Sequence, residues 1–383
     1  MKRMLITASA IIVLVMSTVV AVSAEKSDIG ASADELRDDT YSEQYEESGA
    51  SEITELLPEE YRELVDGLKF DPSSLDNSAD FSAESVFSLI IGIFRGKLSE
   101  PFTVGAAALG VIIISSLIKS VASQSSLGGI NDGISAAVTA AILFLPIYGV
   151  FKASCNAVKA AAVFMCGFIP IFAGILVSSG KPLTSSLTSV TVLSAAEVVE
   201  QVSAFVVLPM LAVMLAMGAA SVFSERIRPD GCVAAVKKTV GVLMTVLMTV
   251  FSGVTSVQSL IGSAADSPAL RTVKFVTGSA PVIGGAVSEA AGLVSSCLSA
   301  LKNSAAIYAI ICLCSVLLPV IAEALAWRLV AYLLGASSGL FGCDRITRLT
   351  DAVGYSFGII TSVALNTFVM FTLSLTVMTM VGG

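Results

Sequence analysis

Asn303-Ser-Ala-Ala-Ile-Tyr-Ala-Ile-Ile-Cys-Leu-Cys-Ser-Val-Leu-Leu-Pro-Val-Ile-Ala322 is a run of 20 residues without a charged side chain, bounded by Lys302 and Glu323. About 20 apolar residues carry a helix across the hydrocarbon core of a bilayer. Outward from this run lie others of the same kind, at 102–118, 134–151, 160–178, 202–224, 240–261, 329–341 and 355–381. The runs at 303 and 329 read either as two spans or as one long broken helix. Two weaker segments, 182–201 and 281–301, are interrupted by acids. Lipid offers the backbone no hydrogen-bond partner, so only helices or closed barrels cross it, and these runs are too long and continuous for barrel strands. The expected fold is an all-α, polytopic membrane helical bundle with about six to eight crossings.

Composition agrees. The chain has 383 residues, 55% hydrophobic and 14% charged, with a mean hydropathy of +0.87. Soluble domains carry about 25% charged residues, and one aqueous core could not hide this much apolar surface. A soluble enzyme is excluded. Histidine is absent, which removes catalytic triads, imidazole metal sites and the usual general base. The seven cysteines show no CxxC spacing and read as small packing residues. No phosphate-binding loop, dinucleotide fingerprint, HExxH or nucleophile elbow occurs, and no basic, aromatic-bearing surface suits a nucleic acid. No catalytic residue, cofactor or metal is expected.

The amino terminus is different. Lys2 and Arg3 precede the apolar stretch 4–22, which ends in Val22-Ser23-Ala24, the pattern of a secretory signal peptide cut after Ala24. An uncleaved anchor is the rival reading, and both place residue 25 onward outside the cytoplasm. Residues 25–100 hold 20 of the 30 acids and six bases, a net charge of −14. Within them 25–52 has the composition of a disordered segment. In 53–70, Leu56, Leu57, Tyr61, Leu64, Val65 and Leu68 recur at helical spacing among acids, which predicts a short amphipathic helix. A second amphipathic stretch, 81–98, suits the membrane surface. The acidic helices are either solvated faces or a docking surface for a partner's extracytoplasmic domain. Residues 101–383 form the membrane domain.

Orientation poses a conflict. Counting crossings from an external residue 100 leaves Arg226, Arg228, Lys237 and Lys238 outside unless 182–201 also crosses, whereas the excess of Lys and Arg belongs in the cytoplasm. An offset of 111 residues offers a way out. It places Phe164 on Phe275, Gly167 on Gly278, Pro170 on Pro281, Gly174 on Gly285, Ser185 on Ser296, Leu187 on Leu298 and Ala195 on Ala306, more identities than the about three that so biased a composition gives by chance. Leu208-Pro209 falls on Leu318-Pro319 after one deletion, and the basic turns Arg226-Ile227 and Arg345-Ile346 follow. Two units, 155–262 and 270–381, with three crossings each would be inverted, as in many transporters, where interrupted helices meet near the midplane. Pro170, Gly174, Pro209, Pro281, Gly284, Gly285 and Pro319 are the helix-breaking and packing positions in that reading. The small residues at 105–110 and 335–339 add sites of close helix approach.

Ionisable groups within spans are expensive, about 2.5–3.5 kcal/mol each at a helix centre, and each needs a reason. Glu197 and Glu200 share a helix face with Gln201 beside them, Glu289 lies in the weaker segment of the second unit, and Glu323 precedes Arg328 by five residues. The simplest expectation is a Glu323–Arg328 ion pair, interfacial or inside the bundle, with Glu197 and Glu200 as polar lining of the bundle, an ion relay or an exposed amphipathic turn, and Gln201 and Glu289 as further polar lining.

Leu56-Leu57-Pro58 in an acidic segment behind a leader, and above all Leu270-Arg-Thr-Val-Lys-Phe275 running into Ala280-Pro-Val-Ile-Gly-Gly-Ala-Val-Ser-Glu289, resemble the stage III sporulation protein AE family. The resemblance implies a subunit of the multiprotein complex linking mother cell and forespore during endospore formation. It implies a multi-pass protein made in the mother cell and placed in the outer forespore membrane with the other stage III A-operon products. The assembly would be required for forespore integrity and late forespore gene expression. The partners it implies are those membrane proteins; the apolar runs add membrane lipid, and the small-residue faces leave packing within the chain or between copies open. The family brings no established catalytic residues. The alternative that the residues themselves offer is a secondary transporter built from two inverted repeats.

Overall fold

A computed structural model of the chain describes residues 34–66, 72–73, 83–121, 127–223, 230–278 and 284–381. The leader, residues 25–33 and Pro281 lie outside them. Among the described residues all regular structure is helical. A small N-terminal unit comprises α1 (Asp34–Glu47), a 3₁₀ segment (Ala50–Leu56) and α2 (Glu59–Asp66), followed by the long helices α3 (Ala83–Val121) and α4 (Leu127–Ser178). Next come α5 (Pro182–Val202), continued through a π turn (Ser203–Val207) into α6 (Leu208–Phe223), then α7 (Asp230–Gly278), α8 (Gly284–Leu340) and α9 (Asp344–Val381). Six helical stretches among the described residues are long and apolar enough to cross a membrane, within the expected number.

Several of the separate runs in the sequence are single helices. Residues 134–151 and 160–178 both belong to α4, 303–322 and 329–341 to α8, and 182–201 joins 202–224 through the π turn. Nor is 81–98 a separate surface helix, since α3 runs without a break from Ala83 to Val121. The expected breaks at Pro170, Pro209 and Pro319 are absent too. Each of these prolines sits inside a helix, and the turn widened to π geometry at Ser203–Val207 lies where Pro209 withdraws the donor for the Phe205 carbonyl. Neighbouring helices and local widening let membrane helices carry proline.

Two reversals are cut by glycine. Gly180 and Gly342 adopt φ of 80° and 68°, the left-handed conformation that ends a helix. Behind Gly180, Lys181 N–H donates to the Leu176 carbonyl at 3.1 Å and Gly180 N–H to Val177 at 2.9 Å; Cys343 to Ser338 at 2.9 Å and Gly342 to Gly339 at 3.3 Å repeat the pattern. Pro182, with its φ preset and no N–H to lose, then opens α5, and Asp344 sits in the first turn of α9, where the helix dipole favours an acid.

The long helices therefore alternate in direction as three hairpins, α3–α4, α5/α6–α7 and α8–α9. One end of the bundle gathers Lys119, whose ammonium lies 3.1 Å from Asp132 and donates to the Gly342 carbonyl at 2.8 Å, and Arg345, which reaches the Val222 carbonyl at 3.4 Å in the last turn of α6. Among the described residues the helix ends gathered here carry five bases (Lys119, Lys237, Lys238, Arg345, Arg348), against Lys181, Arg271 and Lys274 at the other, the asymmetry expected of a cytoplasmic end. The orientation conflict disappears, because α4 crosses once where two spans were counted. The inversion disappears with it. The 111-residue offset places α4 on α7 and α5 on α8, helices that run the same way in the alternating order. Reporters that need the cytoplasm, fused after Arg228 and after Arg348, are expected to give signals on the same side, with a fusion after Lys181 silent.

Helix α8 is the axis. In its most apolar stretch 94% of residues are enclosed by protein, against 22% in α7. Helix α9 packs along it with small residues at the seam: a Cβ on Gly335 would stand 3.1 Å from Thr350 Oγ1, and one on Gly354 would stand 3.5 Å from Ala331 Cβ. On the other side a Cβ on Gly105 of α3 would fall 2.5 Å from Val330 Cγ1, so only glycine permits that approach. Gly110 and Gly339, in the same glycine-rich runs, have open space instead. Polar residues on lipid-facing helices satisfy themselves: the hydroxyls of Ser194, Thr245 and Thr249 each donate to the carbonyl four residues back. Of the seven cysteines, Cys297, Cys312, Cys314 and Cys343 are buried as expected of packing residues, whereas Cys166 is exposed.

Candidate functional site

The N-terminal unit docks on the bundle. Tyr41 and Ile53 are fully buried and Leu57 nearly so, with the Tyr41 hydroxyl donating to the Pro72 carbonyl at 2.9 Å. Leu56 lies over Gly167 of α4, where a Cβ would stand 2.7 Å from its Cδ2, and the Thr54 and Tyr308 hydroxyls share a hydrogen bond of 2.6 Å to α8. Arg62 closes the unit by donating to the Leu57 and Glu55 carbonyls at 2.8 and 2.7 Å. Part of 25–52 is thus ordered, contrary to its composition: Tyr41 and Tyr45, one turn apart in α1, supply an apolar edge among the acids. The amphipathic helix begins at Glu59, behind Pro58. Burial, and the Glu60 carboxylate beside it, push the Tyr61 phenol above its usual range. Outward, Glu43, Glu46, Glu47, Glu52, Glu55, Glu59, Glu60 and Glu63 are exposed, an acidic surface held on a fixed base.

Below this unit the charges of the long helices gather in a belt. The Glu323 carboxylate of α8, 13% exposed, meets the Lys97 ammonium of α3 at 3.0 Å. On α4, Lys152 is exposed. About two turns on, Glu200 lies 3.9 Å from Lys159, and Gln201 donates to Glu197 at 3.3 Å. Counted along the helices at about 1.5 Å per residue, Glu323 and Glu200 stand about 25 and 35 Å from the cytoplasmic ends of α8 and α6. Beyond the belt α4 continues to Ser178, and α8 reaches back to Gly284.

Two expectations for these residues change. Glu323 does not pair with Arg328, because five residues along a helix turn the side chain about 140° around the axis. Arg328 lies against α9 instead, 3.3 Å from where a Gly358 Cβ would stand. Glu197 and Gln201 point outward from the α4–α5 pair and are exposed, as are Pro170 and Gly174 of α4 and Pro209 of α6, whereas Pro319 is buried. Glu289, Gly284 and Gly285 fall in the first turns of α8, far from the belt, and their side chains lie outside the described residues. The partners that sequence reasoning passed over are Lys97 and Lys159. Their signal was visible as the short charged gap between two apolar runs that are in fact one helix. Among the described residues no group of three metal-ligating side chains occurs.

The arrangement defines a multi-pass α-helical membrane protein with a buried axial helix and a docked acidic N-terminal unit. The family model described as Stage III sporulation protein AE matches residues 71–382, and the chain belongs to that family. Among curated proteins it is similar to Stage III sporulation protein AE of Bacillus subtilis (strain 168), 24% identical over 340 residues that cover 86% of this chain and 82% of that protein. No solved structure matches. The family membership supports a role in sporulation.

Proposed function

We propose that the chain is a non-enzymatic membrane subunit of a multiprotein channel or secretion-like complex between mother cell and forespore, and that it serves as an assembly platform. The observation that carries this reading is helix length. Helices α3 to α9, with α5 and α6 taken together, run 38 to 57 residues, about 57 to 85 Å, whereas a bilayer core is about 30 Å thick. Placing lipid between the cytoplasmic end and the charged belt puts Lys97, Glu323, Lys159 and Glu200 at the outer interface, where charge is tolerated. Most of the exposed large apolar side chains, from Ile113, Ile114 and Leu117 to Leu333 and Leu340, then fall within the lipid. The remainder of the bundle, capped by the acidic unit, projects into the space between two membranes, where other subunits are met.

A transporter would need a polar route. Glu197 faces outward, and the bundle axis is filled by Leu313, Leu317, Leu318 and Ile321 of α8, which weighs against that alternative. Deleting residues 28–70 is expected to abolish co-purification with the other stage III membrane proteins. Because the deletion also uncovers Gly167 and Tyr308, a second variant replaces the exposed Glu43, Glu46, Glu47, Glu52, Glu55 and Glu59 by Gln and leaves the buried anchors in place. Loss of partners in that variant supports docking through the acidic surface, and undiminished co-purification in both sinks it.

A further inference from the structure

At the cytoplasmic end the outer face of α7 carries an open cleft of about 550 Å³ that the assembly reading does not use. Its head is cationic. Lys237 and Lys238 line it, and among the described residues neither forms an ion pair. The Lys237 ammonium is steadied 5.1 Å from the ring centroid of Tyr355 on α9, an exposed tyrosine.

Its body is apolar and open, a shallow furrow along α7. Gly241 forms the floor, with nothing within 4 Å of the position its Cβ would take. The Thr245 hydroxyl turns away to the Gly241 carbonyl at 2.8 Å, so it has no donor to spare, and Val242 and Val246 stand exposed as walls. The same stripe continues toward mid-membrane through the exposed Val250 and Val254. Two cations over an apolar slot that runs along the helix match one ligand chemistry: a phosphate ester joined to an extended hydrocarbon chain. A soluble phosphate would leave the slot empty, and a zwitterionic headgroup would bring its own cation against the lysines.

We propose that this cleft is a binding site for an anionic glycerophospholipid, with the phosphate held by Lys237 and Lys238 and one acyl chain lying over Gly241 between Val242 and Val246. The bound lipid ties α7 to α9 through the Lys237–Tyr355 contact. The test uses the full-length protein in detergent and native mass spectrometry, with dioctanoyl phosphatidylglycerol, dioctanoyl phosphatidylcholine and glycerol phosphate as probes. Phosphatidylglycerol is expected to bind saturably and about tenfold or more tighter than phosphatidylcholine, since each lysine near a charged headgroup adds severalfold. K237Q/K238Q should erase that preference. Gly241→Leu, which fills the slot while keeping both lysines, should weaken both lipids. All three positions are exposed, so unchanged thermal unfolding of the variants serves as the folding control. Equal binding of the two lipids, a preference that survives K237Q/K238Q, or glycerol phosphate binding as tightly as phosphatidylglycerol would each overturn the proposal. So would a lipid-free dimer that Gly241→Leu dissociates, because it would give the cleft to a second copy.

Discussion

Trp327→Ala is expected to destabilise the solubilised protein by about 3–5 kcal/mol, the range for removing a large aromatic from a packed core. Trp327 is 1% exposed, and its ring stacks on Phe357 of α9 with centroids 5.9 Å apart and planes 13° apart. The seam has little capacity to collapse into the vacancy. Ala331 against Gly354 and Gly335 against Thr350 already hold the two backbones at close approach, so the cavity stays open. Because this is the only tryptophan, unfolding is followed by circular dichroism rather than fluorescence. Val246→Ala, on an exposed face, should shift the midpoint by no more than about 0.5 kcal/mol. A Trp327→Ala midpoint no lower than that of Val246→Ala would mean that α8 is not the axis of the bundle.

Glu323→Lys should cost about 2 kcal/mol or more, because it replaces an ion pair on a largely enclosed carboxylate with two ammonium groups about 3 Å apart. The figure is set below the range for fully buried pairs, since Lys97 keeps 47% of its side chain exposed. The decisive measurement is the reversed pair: Lys97→Glu with Glu323→Lys should recover most of the lost stability, and Arg328→Glu with Glu323→Lys should not. Recovery by the Arg328 swap instead would restore the i, i+5 pairing. Glu197→Gln, which removes an exposed carboxylate hydrogen-bonded to Gln201, is expected to be near neutral.

How much of this was legible can be judged residue by residue. Fold class was written in the uncharged runs, because the energetics of backbone in lipid leave few alternatives. Their connection was not. Lys152, Asn156 and Lys159 read as a break between two spans because charge interrupts hydropathy, yet Ala, Val and Lys are all compatible with an uninterrupted helix. The stretch 303–322 carries a related ambiguity, since apolar surroundings of lipid and of protein demand the same side chains, and here protein supplies nearly all of them. Glu323 was rightly singled out as a residue in need of a partner, but that partner lies 226 positions earlier in the chain, beyond any local rule. The N-terminal unit was misjudged for a similar reason. Two tyrosines and the Ile53–Leu57 stretch are too few to fold alone, and they order against a surface that α4 and α8 provide.

The chain order of that surface has a consequence for biogenesis. The most enclosed helix, packed by α3, α4 and α9, is the next to last to leave the ribosome, so α3 to α7 enter the bilayer with the place of α8 still held by lipid or by each other. Only arrival of the closing hairpin expels those occupants and adds the seat of Thr54 on Tyr308 to that of Leu56 on α4. An early segment thus waits for a late one, and a truncated product ending before Gly284 would retain its insertion signals while lacking both its core and the anchorage for its outward-facing acids.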